Sequence, residues 1–320
     1  MNRKAPLPND AVASVARAYF EWKQISSSLN AKRNARAAAG ERIRRSNDDS
    51  QRQASMLEAS ILKAEVKKLE AILDTAEQKC LHLALSIPND THPKAPLGPE
   101  TAAVTISTHG PVLIPHDPKR DHLGVGKHFE LLDFENASIV TGNSWYFLRN
   151  EAAILELALT NYAMSIAIQN GFTPVTTPDV VRSDIAARCG FNPRDNSDPP
   201  VSHMYHIFST SHSSPDLVLS GTSEVPLGGM LANRIYSSLD FPLKFVGVGH
   251  AFRAEAGARS MDTRGLYRVH QFTKVELFAV TTDDASENMM EDMLSIQKSI
   301  LEGLGLSFRF NPFSHIFSSP

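Results

Sequence analysis

Apolar side chains at Leu62, Val66, Leu69, Leu73, Ala76, Cys80 and Leu83 step along the chain by alternating fours and threes. Only an α-helix puts that spacing on one side. A seam repeating every 3.5 residues or so must lie against a similar seam, with left-handed pairing. Val15, Ala18, Trp22, Ile25 and Leu29 supply one upstream. The two predict an antiparallel helical hairpin within residues 1–88.

Between the seams, residues 30 to 52 hold Lys32, Arg33, Arg36, Arg42, Arg44, Arg45 and Arg52 against Glu41, Asp48 and Asp49. A basic tip is expected. A helix of about 30 residues extends about 45 Å, so such a hairpin would carry its tip far from a compact domain. That geometry suits RNA, whose phosphates are neutralised by Lys and Arg with release of counterions. From the heptads alone a coiled-coil dimerisation segment is favoured; the charge asymmetry narrows that margin without reversing it.

Pro88, Pro93, Pro96, Pro99 and Gly98 end the helical pattern and predict an extended linker over residues 89–103. From residue 104 to 309, β-rich runs (104–107, 217–220, 243–248, 269–280) mix with amphipathic helices without regular βαβ alternation. An α+β fold built on an antiparallel sheet is expected. Leu148, Ala152, Leu155, Leu159, Tyr162 and Ile166 predict a core-packing helical stripe, ended by Gly171 and followed by Pro174 and Pro178 in an extended segment.

Composition narrows the partners. The chain has 320 residues, and 32 Lys and Arg nearly cancel 35 Asp and Glu, so nucleic acid contact must come from local patches. Cys80 and Cys189 stand alone, which excludes a disulfide framework. No run approaches the roughly 18 apolar residues of a membrane span, and no signal-peptide core follows Met1, so a soluble intracellular protein without membrane contact is expected. Arg3, Lys4 and Arg17 against Asp10 give only a slight transit-peptide bias.

The most chemically suggestive stretch runs Arg253-Ala254-Glu255-Ala-Gly257, Asp262-Thr-Arg264-Gly265, then Arg268-Val269-His270-Gln271-Phe272-Thr-Lys274-Val-Glu276. It reads as strand, long loop, strand. Arg253, at a strand end, is a candidate for gripping a nucleotide α-phosphate through a two-pronged guanidinium contact. Glu255 and Glu276 could neutralise Arg, accept from an adenine amino group or bind an amino-acid ammonium. Phe272 offers a face for a base, although in isolation a core phenylalanine is the preferred reading. Upstream, Gly221-Thr222-Ser223-Glu224-Val-Pro226-Leu227 sets two hydroxyls and a carboxylate beyond a hydrophobic strand, fit to clasp a small ligand bearing an amine.

In order, residues 221 to 227 and 245 to 280 resemble the seryl-tRNA synthetases, in which a Thr-x-Glu loop precedes Arg-x-Glu-Ala-Gly and Arg-x-His-Gln-Phe-x-Lys-x-Glu strands. The likeness covers roughly residues 12 to 309. It implies serine binding by Thr222, Ser223 (through backbone), Glu224 and Glu276. It implies ATP binding by Arg253, Ala254, Glu255, Val269 and Phe272, with Arg253 catalytic at the α-phosphorus and Mg2+ as companion ion. The implied partners are L-serine, tRNA(Ser) and a second copy in a homodimer, with Lys32, Arg33, Arg36, Arg42, Arg44, Arg45 and Arg264 approaching tRNA. The wording is closer to the bacterial and mitochondrial branch, implying a mitochondrial location in a eukaryote, with the cytoplasm as alternative.

Motif likeness stops after Arg309. Residues 310–320 read as a divergent tail, the third motif is expected beyond them, and the amino end reads as lacking the strand that the resemblance places before the hairpin. A second reading is therefore a catalytically inactive tRNA-binding or coiled-coil protein on the same scaffold. Other features weigh less. His203, His206 and His212 near Cys189 read as a solvated loop rather than a zinc site. Gly124-Val-Gly126 and Gly247-Val-Gly249 lack a phosphate cradle's third glycine. Asn89-Asp-Thr91 and Asn136-Ala-Ser138 fit the glycosylation pattern without a sign of secretion.

Overall fold

The computed structural model describes residues 9–88, 92–93, 105–115, 117–191, 203–208, 215–255 and 264–311. Most of the expected linker, and residues 256–263 and 312–320, lie outside them. Contacts divide the chain into two compact units that part between Ile106 and Ser107.

In the first unit, helix α1 (Ala11–Arg45) turns through Ser46, Asn47 and Asp48 into α2 (Asp49–Leu85). Arg42, Arg44 and Arg45 close α1 with positive charge at the negative end of its dipole. The Asp48 carboxylate accepts from the Ser50 N–H at 3.0 Å and caps α2. Ala18, Leu29 and Ala39 are buried on α1, and Leu62, Val66 and Ala76 on α2, with the other predicted seam residues half-buried. Lys32–Glu65 and Arg33–Glu70 at 2.8 Å, Arg42–Glu58 at 2.6 Å and Lys79–Glu21 at 2.9 Å cross between the antiparallel helices.

The second unit opens with β1 (Ser107–His109), α3 (His122–His128), β2 (Leu132–Asp133), α4 (Phe134–Val140) and β3 (Phe147–Leu148). The helix α5 (Asn150–Gln169) leads into β4 (Thr173–Thr176), β5 (Val180–Arg182), α6 (Ser183–Arg188), β6 (His206–Ile207), β7 (Leu217–Leu219) and α7 (Glu224–Met230). The long strands β8 (Leu243–Phe252) and β9 (Gln271–Val280) precede α8 (Ser286–Gly303) and β10 (Phe308–Phe310). Sheet orders are β4-β8-β9, β5-β7-β6, β2-β3 and β1-β10. The pairing is antiparallel, as expected, with one exception: β4 runs parallel to β8. α5 separates the strand β3 from β4, and its turn returns β4 alongside β8.

That turn is legible in the sequence. Gly171 adopts φ +83°, its N–H donates to Ile168 O at 3.0 Å, and the Phe172 N–H donates to Ala167 O at 3.1 Å. These paired bonds close the helix and demand a left-handed residue at Gly171. Phe172 then drops into a core with Ala167, Val246 and Ile296.

The α5 stripe differs from the expected one. Leu148, Ala152, Tyr162 and Ile166 are half-buried as expected, with Ile166 and Met164 packed on the core, but Leu155 is 56% and Leu159 39% exposed; the inward side also carries Ala153, Glu156, Thr160, Ala163 and Ala167. The helix is apolar nearly all round, so periodicity does not distinguish its sides, and small residues let the backbone approach β9. α5 is also long and apolar enough by composition to cross a bilayer, although no unbroken apolar run signals it. Its Glu156, however, accepts from Thr273 of β9 at 2.6 Å, a contact inside the packed unit.

Ile296, 5% exposed, closes that core far along the chain from the motif residues. Ile296→Ala is expected to lower unfolding free energy by about 2–4 kcal/mol, measured by urea denaturation.

Candidate functional site

The antiparallel ladder of β8 and β9 pairs Gly247 with Glu276, Gly249 with Lys274 and Ala251 with Phe272. Paired residues share a face, so Phe272, Lys274 and Glu276 rise on one side of the sheet over three positions almost without side chains. The two glycines read in the sequence only as a failed phosphate cradle thus have another use. A Cβ at Gly247 would stand 2.9 Å from Leu227 Cδ1, and one at Gly249 would run into Thr177 Oγ1 and stand 3.1 Å from Ser223 Oγ. The small residues let the 222–224 loop settle onto the strand.

That loop brings its groups to Glu276. Thr222, 5% exposed, donates its hydroxyl to Glu276 Oε2 at 2.7 Å, and the Glu224 N–H donates to the same oxygen at 3.0 Å. Lys274 Nζ lies 2.8 Å from both Glu276 Oε1 and Thr222 Oγ1. The pair therefore already holds an ammonium, contributed by the chain itself. Lys274 belongs to the motif, but the resemblance assigns it no role; the signal for one is its i, i+2 spacing from Glu276 on a strand. The Ser223 hydroxyl points away, 3.3 Å from Thr177 Oγ1 in a buried contact, which leaves Ser223 its backbone. The Glu224 side chain is exposed.

Arg253 continues β8 beside this group. Its Nε donates to Gly221 O at 3.4 Å, and its guanidinium lies 5.2 Å from the Phe272 ring centre. Part of the face assigned to a base is thus covered by a cation. The Ala254 N–H donates to His203 O at 3.0 Å. Glu255, at φ +47°, pairs with Arg268 at 3.3 Å. Val269 is buried at 6%. The Tyr205 hydroxyl is pushed above its ordinary 10.0 by burial and then by the Glu255 charge.

Arg264 meets Asp121 at 2.9 Å, and the Leu266 N–H donates to His122 Nε2 at 3.1 Å. Gly265 sits so close beneath that a Cβ would run into His122 Nε2. These contacts fasten residues 264–266 to the start of α3, a connection no sequence motif signals. Of the zinc candidates, His212 lies outside the described residues, and burial, then the Glu224 charge, raises the Cys189 thiol above its ordinary 9.0, against thiolate formation.

On α1, the expected basic tip takes a different form. The cations occupy the last turns of the helix, while the turn itself is Ser46, Asn47 and Asp48. Lys32, Arg33 and Arg42 cross to glutamates of α2, and Arg44 and Arg45 pair with Glu41. Arg36 makes no ion pair among the described residues. Linear charge counting misses the Lys32, Arg33 and Arg42 pairs because their balancing acids lie on the partner helix.

An antiparallel strand pair with Arg at its mouth, an acid on one face and a hydroxyl loop behind is the arrangement of a class II tRNA synthetase core; residues 208–317 match the tRNA synthetase class II core domain (G, H, P, S and T). The match runs past Arg309, where the motif wording stops. Serine–tRNA ligase of Rhodopirellula baltica is 37% identical over 302 residues, covering 94% of this chain and 68% of its own length. The mitochondrial serine–tRNA ligase of Schizosaccharomyces pombe is 37% identical over 268 residues, covering 83% and 55%. The crystal structure of seryl-tRNA synthetase from Pyrococcus horikoshii complexed with ATP superposes with TM-score 0.71 at 28% identity, covering 93% of this chain and 69% of that one. The cytoplasmic enzyme from Naegleria fowleri in complex with AMP shares the fold, at TM-score 0.69 and 22% identity, covering 94% and 68%. The chain belongs to the seryl-tRNA synthetase family. It spans 55% to 68% of the length of relatives such as these two ligases.

Asp121 titrates below its ordinary 3.8, chiefly because it accepts from the Gly124 N–H and then because of the Arg264 charge, against an opposing cost of desolvation. A lowered folded value means stability that is present above 3.8 and lost as pH falls through the folded value. Asp121→Asn is expected to melt below the wild type at pH 6, with the gap closing as acid takes both below pH 3.8, followed by thermal denaturation across pH.

Proposed function

We propose that the chain is the arm and active-site portion of a serine–tRNA ligase, which activates L-serine with ATP and passes the seryl group to tRNA(Ser). The observation that carries this reading is the Thr222–Glu276 pair holding an ammonium at 2.8 Å on the face that also bears Phe272 and adjoins Arg253. In the activation step the serine carboxylate attacks the α-phosphorus of ATP and pyrophosphate leaves. The tRNA terminal hydroxyl then takes the seryl group and AMP departs.

Thr222, Glu276 and the Ser223–Glu224 backbone would hold the serine amine and hydroxyl. Arg253 would oppose charge gathering on the α-phosphate, with Ala254, Glu255, Val269 and Phe272 around the nucleotide. Mg2+ would accompany ATP, carried largely by phosphate oxygens; among the described residues no group of three His, Cys, Asp or Glu is gathered for a metal. A site that hydrogen-bonds the serine hydroxyl rejects alanine because its groups would be left unpaired.

The paired helices α1 and α2 would form the coiled-coil arm that meets tRNA through Lys32, Arg33, Arg36, Arg42, Arg44 and Arg45, with Arg264 near the acceptor end. The exposed ion pairs do not forbid this, because each is worth at most about 1 kcal/mol and phosphate can replace carboxylate. The outward α5 face, with Ile154 68%, Leu155 56% and Leu157 65% exposed, supports a homodimer. The fungal mitochondrial relative supports a mitochondrial location if the source is eukaryotic, the cytoplasm being the alternative.

Serine-dependent exchange of pyrophosphate into ATP tests the reading. Wild type is expected to exchange and Glu276→Gln to fall about 10- to 100-fold, the scale of one charged hydrogen bond. No exchange by wild type with tRNA binding retained would favour the inactive scaffold. For the arm, Arg36→Ala is expected to weaken tRNA(Ser) binding and reduce the salt slope by about one, measured by filter binding across salt concentrations.

A further inference from the structure

We propose that His270 is a positioning residue that fixes Arg253, with its imidazole replacing a backbone donor where the β8–β9 ladder ends. The inference rests on the reading of Arg253 as the phosphate-facing arginine. The ladder ends at Phe252 and Gln271, so Arg253 and His270 form the next opposed pair. The Phe252 N–H turns outward to Ser220 O at 2.9 Å, so the following pair should exchange both its backbone hydrogen bonds. Half of that exchange is made: the Arg253 N–H donates to His270 O at 2.9 Å. The other half is not, because the His270 N–H donates at 3.1 Å to Ser144 O instead.

The orphaned Arg253 carbonyl is recovered by the side chain. His270 Nδ1 lies 2.9 Å from Arg253 O, and since a carbonyl only accepts, Nδ1 carries the proton. One residue thus grips both backbone groups of Arg253 and lets the strands splay immediately afterwards, with Arg268 pairing with Glu255 rather than extending the ladder.

The ring itself is held from two other segments. Trp145 lies 5.6 Å from it at 32°, and Tyr205 meets it edge-on at 6.0 Å and 80°. Ser144, whose carbonyl draws the His270 N–H away, has φ +62°, a left-handed backbone uncommon outside glycine. Three separate stretches of chain therefore converge on His270. An unrestrained Arg253 would lose aim at its strand end, where its guanidinium is steadied by Gly221 O and the Phe272 ring.

The test separates the donor from the packing. His270→Phe keeps an aromatic ring against Trp145 and Tyr205 but removes the donor; His270→Asn loses the ring and keeps an N–H near the place of Nδ1. Binding of a fluorescent ATP analogue is expected to weaken about tenfold in His270→Phe, the scale of one hydrogen bond to a fixed arginine, and to return toward wild type in His270→Asn. In the exchange assay kcat should fall more than KM for ATP rises in the Phe variant, since misplaced charge is felt most in the transition state. Wild-type affinity in the Phe variant, or a larger loss in Asn than in Phe, overturns the proposal. Should a variant misfold, 15N NMR of the wild-type ring decides: a protonated Nδ1 coupled to the Arg253 carbonyl upholds it and an Nε2–H tautomer overturns it. Failure of the wild type to bind the analogue would sink the functional reading, while the ring measurement would still judge the clamp.

Discussion

The candidate face depends on a difference between two paired strands: β8 offers Gly247, Gly249 and Ala251 where β9 offers Glu276, Lys274 and Phe272. Had both strands carried full side chains, cross-strand packing would fill the face. With one strand nearly bare, the 222–224 loop lies against it and Thr222 reaches Glu276 at 2.7 Å. Buried Leu227, one turn later in α7, anchors the same loop under Gly247. The polar residues of this face are few, and their placement comes from residues defined by what they lack.

Much of this arrangement is legible in the amino-acid sequence. The seams of α1 and α2 appear where their spacing predicts, because only residues recurring about every 3.5 positions stay on the line where two long helices touch; Phe20, Leu57 and Ile61, off that line, are exposed. The stop at Gly171 is legible because the helix ending there requires a left-handed residue. Thr222, Arg253 and Glu276 are legible as types, since hydroxyl, guanidinium and carboxylate each imply a narrow chemistry.

What stays hidden is equally specific. The inward side of α5 is misjudged in its first half, because Leu155 and Leu159 are as apolar as any core residue, yet they face outward while Glu156 faces in toward Thr273. Small inward residues carry little hydropathy signal although they decide how closely the helix approaches β9. The pairing of Lys32, Arg33 and Arg42 with acids of α2 is invisible because it joins positions 16 to 37 residues apart whose register only the hairpin defines. The fastening of residues 264–266 to Asp121 and His122 spans 144 residues; Arg264 and Gly265 belong to a motif, but nothing in it points to Asp121 or His122 as the partner.

Lys274 adds a constraint on what can bind. Every member of the group is satisfied within the chain: Glu276 accepts from Thr222, the Glu224 N–H and Lys274. An incoming amine therefore gains little by itself, since it offers Glu276 what Lys274 already provides. A ligand that brings an amine together with an anion changes the balance. On the proposed reading its ammonium would take the place at Thr222 and Glu276, while Lys274, on a flexible stem, would turn to the anion and keep a partner. Free amines offer no such second partner, whereas an amino acid carries its carboxylate two bonds from the amine, within the swing of one lysine. On the proposed reading, a group whose members already satisfy one another would favour a ligand that carries amine and carboxylate together over one that carries an amine alone.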